Sequence, residues 1–373
     1  MLETNGDELP VPNKAVNYRI IATSRVHACI SKYIYPSFLS YSEFGISFGV
    51  LSKYRVNRII GFGKYSTVFL ATNGKKKVAI KVFKEVKEIT IKREVFILKT
   101  CRKFSNVVQI IDVVKDPKYN SISIVMEYCR ASNVEILDNL SLDDFRIYIY
   151  QLINGLYNLH SHGIIHRDIK PENILYDKKT KQLKIGDLGL AEIYYPLQQY
   201  TTGLGTLRWM APELIFDYKF YDYAVDMWAV GIILYVITID YNKKNYETLG
   251  QMAVAVSEML TPSEVLTFID KYGIFIPNSL LSAMPQVNFN MWPTYIEHMK
   301  PKFKDDDMID LMRKLLVADP QRRLCAMEAL EHPFFEKVPP EFKEINKKSK
   351  RKHSIMIRAN AIKNNIKDRR VVV

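Results

Sequence analysis

The sequence has few cysteines and no long apolar run. Its four cysteines are scattered and form no Cys-x-x-Cys pair, which argues against a disulfide framework or a zinc site and favours a reducing compartment. The longest apolar stretch, residues 227–239, is too short to span a bilayer. The first residues are polar and acidic, where a secretory signal would have a basic start and an apolar core. We therefore expect no membrane association and no secretory signal.

The chain is rich in positive charge and long enough for two lobes. It has 373 residues, of which 48% are hydrophobic and 25% are charged, as is usual for a folded globular protein. The formal net charge is +13. This excess predicts acidic partners, such as phosphorylated or acidic proteins, nucleotides or nucleic acid, and does not distinguish among them.

Three segments differ in composition from the central region. Residues 1–16 are polar and hold two prolines, so we expect them to be disordered. Residues 17–53, the N-terminal segment, are rich in aromatic residues and are expected to pack on the main domain. Residues 336–373 form a basic tail with twelve Lys/Arg and four Asp/Glu. Its cluster at 347–352 is typical of a nuclear import signal or a nucleic-acid-binding patch, and a solvated basic tail explains it equally well.

The most informative stretch is residues 164–175. It contains the tripeptide His-Arg-Asp, which ends at Asp168, and Asn173 follows five positions later. A carboxylate such as Asp168 can orient an attacking hydroxyl group, the amide oxygen of Asn173 can bind Mg²⁺, and Lys170 can offset developing negative charge. The pattern resembles the catalytic loop of protein kinases. The alternative is a polar loop between two buried strands, with Asp and Asn in turns.

A second stretch resembles the glycine-rich hairpin that covers ATP phosphates in protein kinases. The residues that the resemblance assigns to ATP binding there are Ile60, Gly61, Phe62, Gly63, Lys64, Tyr65, Ser66, Thr67 and Val68. Gly61 and Gly63 let the backbone approach the phosphates, and Ser66 takes the position of the third glycine. Taken alone, the two glycines are more typical of an ordinary β-turn.

The next predicted strand and helix supply a lysine and a glutamate. In residues 78–81, the period of a β-strand predicts alternating buried and exposed positions, with Lys81 beneath the hairpin. The resemblance implies that Lys81 binds the α- and β-phosphates of ATP and that Ala79 lines the pocket. In the following helix Glu94 adjoins an apolar stripe, which favours an inward orientation toward Lys81 over a solvated Lys/Glu face.

Residues 122–126 predict a buried strand that leads into Glu127 and Cys129. The resemblance implies that this is the hinge, whose backbone binds adenine, with Met126 at the back of the ATP pocket. Packing of Met126 in the core is expected in either case. Leu175 is assigned to the same pocket by the resemblance.

Two later motifs complete the set. Asp187 begins a tripeptide that resembles the Asp-Phe-Gly magnesium motif, with Leu188 in place of Phe, so Asp187 and Asn173 are the expected metal ligands. Glu213 closes the stretch that follows, residues 187–213, which we call the activation segment. Arg323 is the predicted partner of Glu213, because an unpaired buried carboxylate would be costly.

A finer resemblance is to the catalytic α subunit of casein kinase II. The stretches that carry it are residues 24–26, 63–66, 91–94, 114–117, 189–196, 221–223, 268–272 and 331–335. It implies acidic protein substrates and a regulatory β subunit. The chain departs from that family at Leu188, where the family has Trp. It also departs at residues 87–90, where the family has a run of lysines. It also has Gly203, Leu207 and Met210 where the family has basic residues that recognise acidic substrates.

The sequence therefore predicts an α+β protein with the bilobal protein kinase fold. Residues 54–335 are the expected kinase domain, with a small β-rich N-lobe at 54–128 and a larger, mostly helical C-lobe at 129–335. The predicted function is transfer of the γ-phosphate of ATP, with Mg²⁺, to Ser or Thr of protein substrates, because Lys170 is typical of the serine/threonine branch. We expect the protein in the nucleus and the cytoplasm.

Three alternatives remain open from the sequence. One is a serine/threonine kinase related to the cyclin-dependent and MAP kinase group, without a preference for acidic sites. Another is a catalytically inactive scaffold with the kinase fold. The third is a nucleic-acid-binding protein that uses the basic tail.

Overall fold

The computed structural model describes five stretches of the chain: residues 20–35, 41–129, 134–239, 247–285 and 291–343. The expectations for residues 1–16 and for the basic cluster at 347–352 fall outside these stretches. Within them, no single helix is long and apolar enough to cross a membrane. One pair of helices, Leu249–Met259 and Pro262–Tyr272, reaches the required length and composition only when taken together, and it is bent by 117°.

The N-terminal part is built on a five-stranded antiparallel sheet. After the short helix α1 (Ile30–Ile34) come strands β1 (Arg55–Phe62), β2 (Ser66–Asn73) and β3 (Lys76–Phe83), then helix α2 (Glu88–Thr100), and then strands β4 (Ile110–Lys115) and β5 (Ile122–Glu127). The strand order is β1-β2-β3-β5-β4. Strand β3 is therefore central, because β2 and β5 pair with its two edges.

The central strand β3 is buried on both faces. All four residues at 78–81 are buried, so the predicted alternation of buried and exposed positions was wrong. Val78 and Ile80 lie in a hydrophobic cluster with Tyr54, which covers one face of the strand. Lys81 lies on the other face, toward α2. The alternation fails because Tyr54 and the partly buried Leu51, which precede the sheet in the chain, pack on the face that would otherwise meet solvent.

The rest of the described chain is mostly helical. Its helices are α3 (Val134–Asp138), α4 (Leu142–His160), α5 (Pro212–Ile215), α6 (Ala224–Thr238), α7 (Leu249–Met259), α8 (Pro262–Tyr272), α9 (Asn278–Ala283), α10 (Trp292–Glu297), α11 (Asp306–Leu315) and α12 (Ala326–Leu330). Two small antiparallel pairs interrupt them: β6 (Ile164–Ile165) with β9 (Glu192–Ile193), and β7 (Ile174–Asp177) with β8 (Gln182–Ile185). The loops between these short strands carry the predicted catalytic and magnesium motifs.

Helices α4 and α6 form the centre of the helical part. Helix α4 begins after Ser141, whose Oγ accepts the backbone N–H of Asp144 at 3.1 Å. Helix α6 is apolar on nearly all sides, as expected for a helix that is surrounded by protein. A Cβ on Gly231 of α6 would lie 2.8 Å from Cδ2 of Leu316, so a glycine is needed for the close approach of the chain after α11.

The predicted pair between Glu213 and Arg323 is confirmed. Nη1 of Arg323 is 2.8 Å from Oε1 of Glu213 and Nη2 is 3.0 Å from Oε2, so the pair is bidentate. Both side chains are fully buried. The guanidinium also donates to the backbone carbonyls of Ala224 and Val317, which satisfies its remaining donors. This pair connects the end of the activation segment to the C-terminal helices.

We predict that Arg323→Met lowers the free energy of unfolding by about 3–5 kcal/mol, because the variant leaves the Glu213 carboxylate buried without its cation. Urea denaturation followed by circular dichroism measures the change. Arg322→Met is the matched control, because Arg322 is the adjacent residue of the same type and is exposed. Equal losses in the two variants would contradict the structural importance of the pair.

Candidate active site

Lys81 lies between two carboxylates from different elements. Its Nζ is 2.7 Å from Oε1 of Glu94, on α2, and 2.7 Å from Oδ1 of Asp187, which follows β8. The side chains of Lys81 and Glu94 are 8% and 1% exposed, whereas that of Asp187 is 52% exposed. The predicted contact between Lys81 and Glu94 is present. Of the three side chains, only that of Asp187 is substantially exposed to solvent.

Lys81 and Asp187 stabilise each other's charges in this network, whereas burial raises the pKa of Glu94 despite the neighbouring Lys81. Burial favours the neutral amine of Lys81, but the carboxylates of Glu94 and Asp187 outweigh burial and raise the pKa of Lys81. Burial also opposes ionisation of Asp187, but the charge and hydrogen bond of Lys81 prevail and lower the pKa of Asp187. The ammonium group and the Asp187 carboxylate are therefore both charged at neutral pH.

The backbone after β8 is shaped to fit this network. Asp187 adopts the left-handed region, with φ 48° and ψ 75°, and its Oδ1 accepts the backbone N–H of Gly189 at 3.3 Å. A Cβ on Gly189 would lie 3.2 Å from Nζ of Lys81 and 3.3 Å from Oε2 of Glu94. A residue without a side chain at position 189 thus lets the backbone pass close to the three charged groups.

Asp226, at the start of α6, positions the loop that carries Asp168. Its Oδ2 accepts the backbone N–H of His166 at 2.8 Å, and its Oδ1 accepts that of Arg167 at 2.9 Å. Burial opposes ionisation of Asp226, but the hydrogen bond with His160, 2.9 Å long, outweighs burial and lowers the pKa of Asp226. Arg167 has φ 69°, so Asp226 stabilises a backbone conformation that residues other than glycine rarely adopt.

Asp168 lies in a polar set drawn from two segments of the chain. Nζ of Lys170 is 2.9 Å from Oδ2 of Asp168, and Nδ2 of Asn173 donates to the same oxygen at 3.0 Å. From the activation segment, the hydroxyl of Thr206 accepts from Nζ of Lys170 at 2.7 Å and donates to Oδ1 of Asp168 at 3.0 Å. The structure therefore brings Asp168, Lys170 and Asn173 together. Thr206 was missed because it is 38 residues from Asp168, and a single Thr carries no spacing signal.

The strand register joins the glycine-rich hairpin to Lys81. Gly61 of β1 is opposite Val68 of β2, and Val68 is opposite Lys81 of β3, so the three residues form one row across the sheet. Phe62 and Tyr65, near the tip of the hairpin, are 79% and 58% exposed. The other predicted hairpin residues occupy the same two strands and their turn: Ile60, Gly63, Lys64, Ser66 and Thr67.

The remaining predicted pocket residues lie on β3, β5 and β7. Ala79 and Met126 are neighbours across β3 and β5, and both are buried. Cys129 follows β5, Leu175 lies in β7, and both are partly buried. The side chain of Glu127 forms an ion pair with Lys184 at 2.8 Å.

The comparison with known families agrees with this geometry. A family model described as "Protein kinase domain" matches residues 54–335. The chain belongs to the protein kinase family. The five-stranded sheet and the mostly helical region after it are the two lobes of the kinase fold, which confirms the predicted fold class. A kinase domain with a buried Lys81–Glu94 ion pair is that of an ATP-binding phosphotransferase.

The oxygen atoms at the predicted metal ligands fit the magnesium ion that accompanies ATP in kinases. Nδ2 of Asn173 donates to Asp168, which leaves its Oδ1 as a ligand atom, and Lys81 contacts only Oδ1 of Asp187. Two protein ligands suffice, because Mg²⁺ keeps several waters and binds substrate phosphates. Over the described stretches, no group of three or more His, Cys, Asp or Glu could bind a metal by itself.

We predict that this kinase loses activity in two single variants that still fold, although Lys81→Met should also lose stability because it leaves Glu94 buried without its cation. Asp168→Asn and Lys81→Met should each lower kcat by about 10²–10⁴-fold, because both side chains act on the transition state. Lys77→Met is the control, since Lys77 is an exposed lysine on the same strand as Lys81. Steady-state kinetics with circular dichroism separates the two effects, and near-normal turnover in either folded variant would refute the assignment.

Proposed function

We propose that this kinase phosphorylates Ser and Thr residues of proteins and that it is a divergent relative of casein kinase II. The observation that supports the serine/threonine assignment is the contact of Lys170 with Asp168 at 2.9 Å, bridged by the hydroxyl of Thr206. A cation is thereby fixed beside the carboxylate that would meet an incoming hydroxyl group. The hydroxyl of Thr206 already occupies a hydrogen-bonding position on that carboxylate.

Each charged group has a separate task in the proposed reaction. Asp168 orients the acceptor hydroxyl and takes its proton, and Lys170 offsets the negative charge that develops on the phosphoryl group. Lys81 binds the phosphates, while Asn173 and Asp187 bind the metal. When bound, MgATP supplies the γ-phosphoryl group and a divalent charge that neutralises the phosphate oxygens.

The carboxylate of Glu192 joins the activation segment to α2, to the catalytic loop and to the N-terminal segment. One oxygen of Glu192, Oε2, is 3.1 Å from Nη1 of Arg93 on α2 and 3.7 Å from Nη2 of Arg167 in the catalytic loop. The other, Oε1, accepts the hydroxyl of Tyr41 at 2.7 Å. A phosphate on an activation segment would order it through the same kind of arginine contacts. We infer that Glu192 supplies these contacts without phosphorylation.

The N-terminal segment also packs on the helix that carries Glu94. The ring of Phe96, on α2, has edge-on contacts with Tyr35, Tyr41 and Phe44, with centroids 5.5, 5.9 and 5.2 Å away. Such aromatic pairs contribute about 0.5–1.5 kcal/mol each beyond the area that they bury. Because Glu94 and Phe96 are on one helix, these contacts support the position of Glu94 beside Lys81.

We predict that activity does not require phosphorylation of the activation segment and does require the N-terminal segment. Phosphatase-treated enzyme should keep its activity, and deletion of residues 1–50 should lower it. Tyr41→Phe should lower kcat/KM roughly threefold to tenfold, because it removes a hydrogen bond to the charged Glu192. Tyr33→Phe is the matched control, since Tyr33 is 59% exposed in the same segment.

Two outcomes would contradict this prediction. Loss of activity after phosphatase treatment would show that a phosphate is needed. Unchanged activity after deletion of residues 1–50 would show that the contacts of the N-terminal segment do not support the active site.

Several cations that could attract an acidic substrate already have internal partners. Lys92 on α2 is 3.2 Å from Glu88, one helical turn earlier, and two arginines pair with Glu192. Met210, at a position where the casein kinase II family has a basic residue, is only 4% exposed. We therefore propose that the preference for acidic sites is weak and depends mainly on the long-range field of the positively charged chain.

This proposal is tested with paired peptides that are acidic or neutral after a Ser, Thr or Tyr acceptor. We predict a twofold to tenfold preference for acidic peptides at low salt, roughly what one or two exposed ion pairs contribute at about 0.2–1 kcal/mol each. The preference in kcat/KM should fade as salt is added, because the Debye length is about 8 Å at physiological ionic strength. Glu88→Gln should increase the preference for acidic peptides, because it releases Lys92 from its ion pair. Glu85→Gln is the control, since Glu85 is also exposed.

The same measurement separates the competing functions. Phosphorylation of Tyr peptides alone would refute the serine/threonine assignment, and no phosphorylation of any peptide would favour an inactive scaffold. A strong acidic preference that persists at high salt would show that a cationic subsite exists elsewhere on the kinase. A preference for basic peptides would refute the relation to casein kinase II.

A further inference from the structure

The tip of the glycine-rich hairpin extends beyond the ladder between β1 and β2. The last pairs in register are Gly61 with Val68 and Phe62 with Thr67. Beyond them, the backbone N–H of Gly63 donates to the carbonyl of Ser66 at 2.9 Å. The turn at residues 63–65 therefore depends on groups from outside the hairpin for further order.

Lys84 contacts this turn from outside the hairpin. It directly follows β3, and its backbone N–H donates to the carbonyl of Tyr65 at 3.0 Å. Its side chain extends across the tip, where Nζ donates to the carbonyl of Gly63 at 2.7 Å and lies 3.7 Å from the ring centroid of Phe62. One residue thus contacts three residues of the hairpin tip through its backbone and its ammonium group.

The exposure of Phe62 is consistent with this arrangement. Its ring is 79% exposed, so burial in a core does not explain its position. The ammonium group of Lys84 lies well within the distance of about 6 Å at which a cation is attracted to an aromatic face. The backbone N–H of Val86 also donates to the carbonyl of Lys84 at 2.8 Å, which fixes the chain from which the side chain extends.

We propose that Lys84 is a positioning residue that orders the tip of the glycine-rich hairpin before ATP binds. This inference rests on the proposed function, because it requires the hairpin to cover the ATP phosphates. A three-residue turn that is ordered only on binding loses conformational entropy at that step, which weakens affinity. By ordering the turn before ATP binds, Lys84 reduces the conformational entropy that is lost on binding. Its effect on ATP affinity is exerted through the hairpin backbone.

The proposal is tested on the full chain with Lys84→Met, Phe62→Leu, the double variant and Lys84→Arg. Phe62→Leu keeps an apolar side chain and removes the ring, and Lys77→Met removes an exposed lysine at the opposite end of β3 as a control. Amide hydrogen exchange at residues 60–67 is measured without nucleotide. The dissociation constant for MgATP, the KM for ATP and kcat are measured in parallel.

Lys84→Met should accelerate exchange at the tip and raise the dissociation constant and KM about threefold to tenfold, the effect of one charged hydrogen bond and one exposed cation–π contact. The kcat and the melting temperature should stay close to those of the unmodified protein. In the exchange measurement, the double variant should differ little from Lys84→Met alone, because Lys84→Met already removes the cation–π contact that Phe62→Leu removes. Lys84→Arg should retain most of the affinity, and Lys77→Met all of it.

Three results would overturn the inference. They are unchanged exchange at the tip in Lys84→Met, additive effects of the Lys84 and Phe62 variants on that exchange, and tighter binding of MgATP by Lys84→Met. Tighter binding would mean that Lys84 obstructs the nucleotide. Failure of the unmodified protein to bind MgATP would instead refute the proposed function, and the exchange data, recorded without nucleotide, would still decide whether Lys84 orders the tip.

Discussion

The arrangement of the active site depends on the mutual neutralisation of Lys81, Glu94 and Asp187. Nζ of Lys81 is 2.7 Å from each carboxylate, and the side chains of Lys81 and Glu94 are almost fully buried. A buried charge without a partner is strongly destabilising, so the ammonium group requires that α2 and the segment after β8 both approach β3. The position of α2 is therefore coupled to the position of Asp187, so contacts that shift α2 also act on this predicted metal ligand. The aromatic contacts of the N-terminal segment with Phe96 act on that helix.

Three buried carboxylates in this kinase have different partners and different consequences. Glu94 pairs with an amine that belongs to the site, so it orients a functional side chain. Asp226 accepts hydrogen bonds from two backbone N–H groups. It therefore stabilises the backbone conformation of the catalytic loop, whereas Glu94 orients a side chain. Glu213 pairs with Arg323 in a fully buried, bidentate contact that joins distant parts of the C-lobe. The partner of a buried carboxylate thus indicates its function better than its burial does.

The sequence was most informative where a local pattern or a family motif marks the residue. The apolar stripe beside Glu94 predicted its inward orientation, and the expected cost of an unpaired carboxylate predicted Arg323 as the partner of Glu213. The kinase motifs, which occur in the order typical of the family, were enough to predict the fold class. The exposed positions predicted on β3 were wrong, because the cover provided by Tyr54 depends on how the chain before the sheet packs.

Contacts between distant parts of the chain that no family motif marks could not be predicted in this way. Glu192 and Arg93 are separated by 99 residues, and Thr206 and Asp168 by 38. In each case the residue types are common, and only the folded chain brings them together. Lys84 is closer in sequence to Gly63, but a lysine after a strand is usually a solvated residue, and nothing in the sequence distinguishes it from Lys77.

Net charge and local ion pairing lead to different expectations for the specificity of this kinase. The chain carries a formal charge of +13, which predicts attraction of acidic partners. Near the site, however, Lys81, Lys92 and Lys170 each contact a carboxylate of the same chain. A cation with an internal partner must lose that partner before it can bind a substrate, so it contributes less to recognition than an unpaired one. The remaining positive field acts at long range, where it accelerates encounter and is screened by salt. Under the proposed function, attraction and recognition thus depend on different charges: the overall excess would attract partners, and the local pairing would limit which of them are recognised.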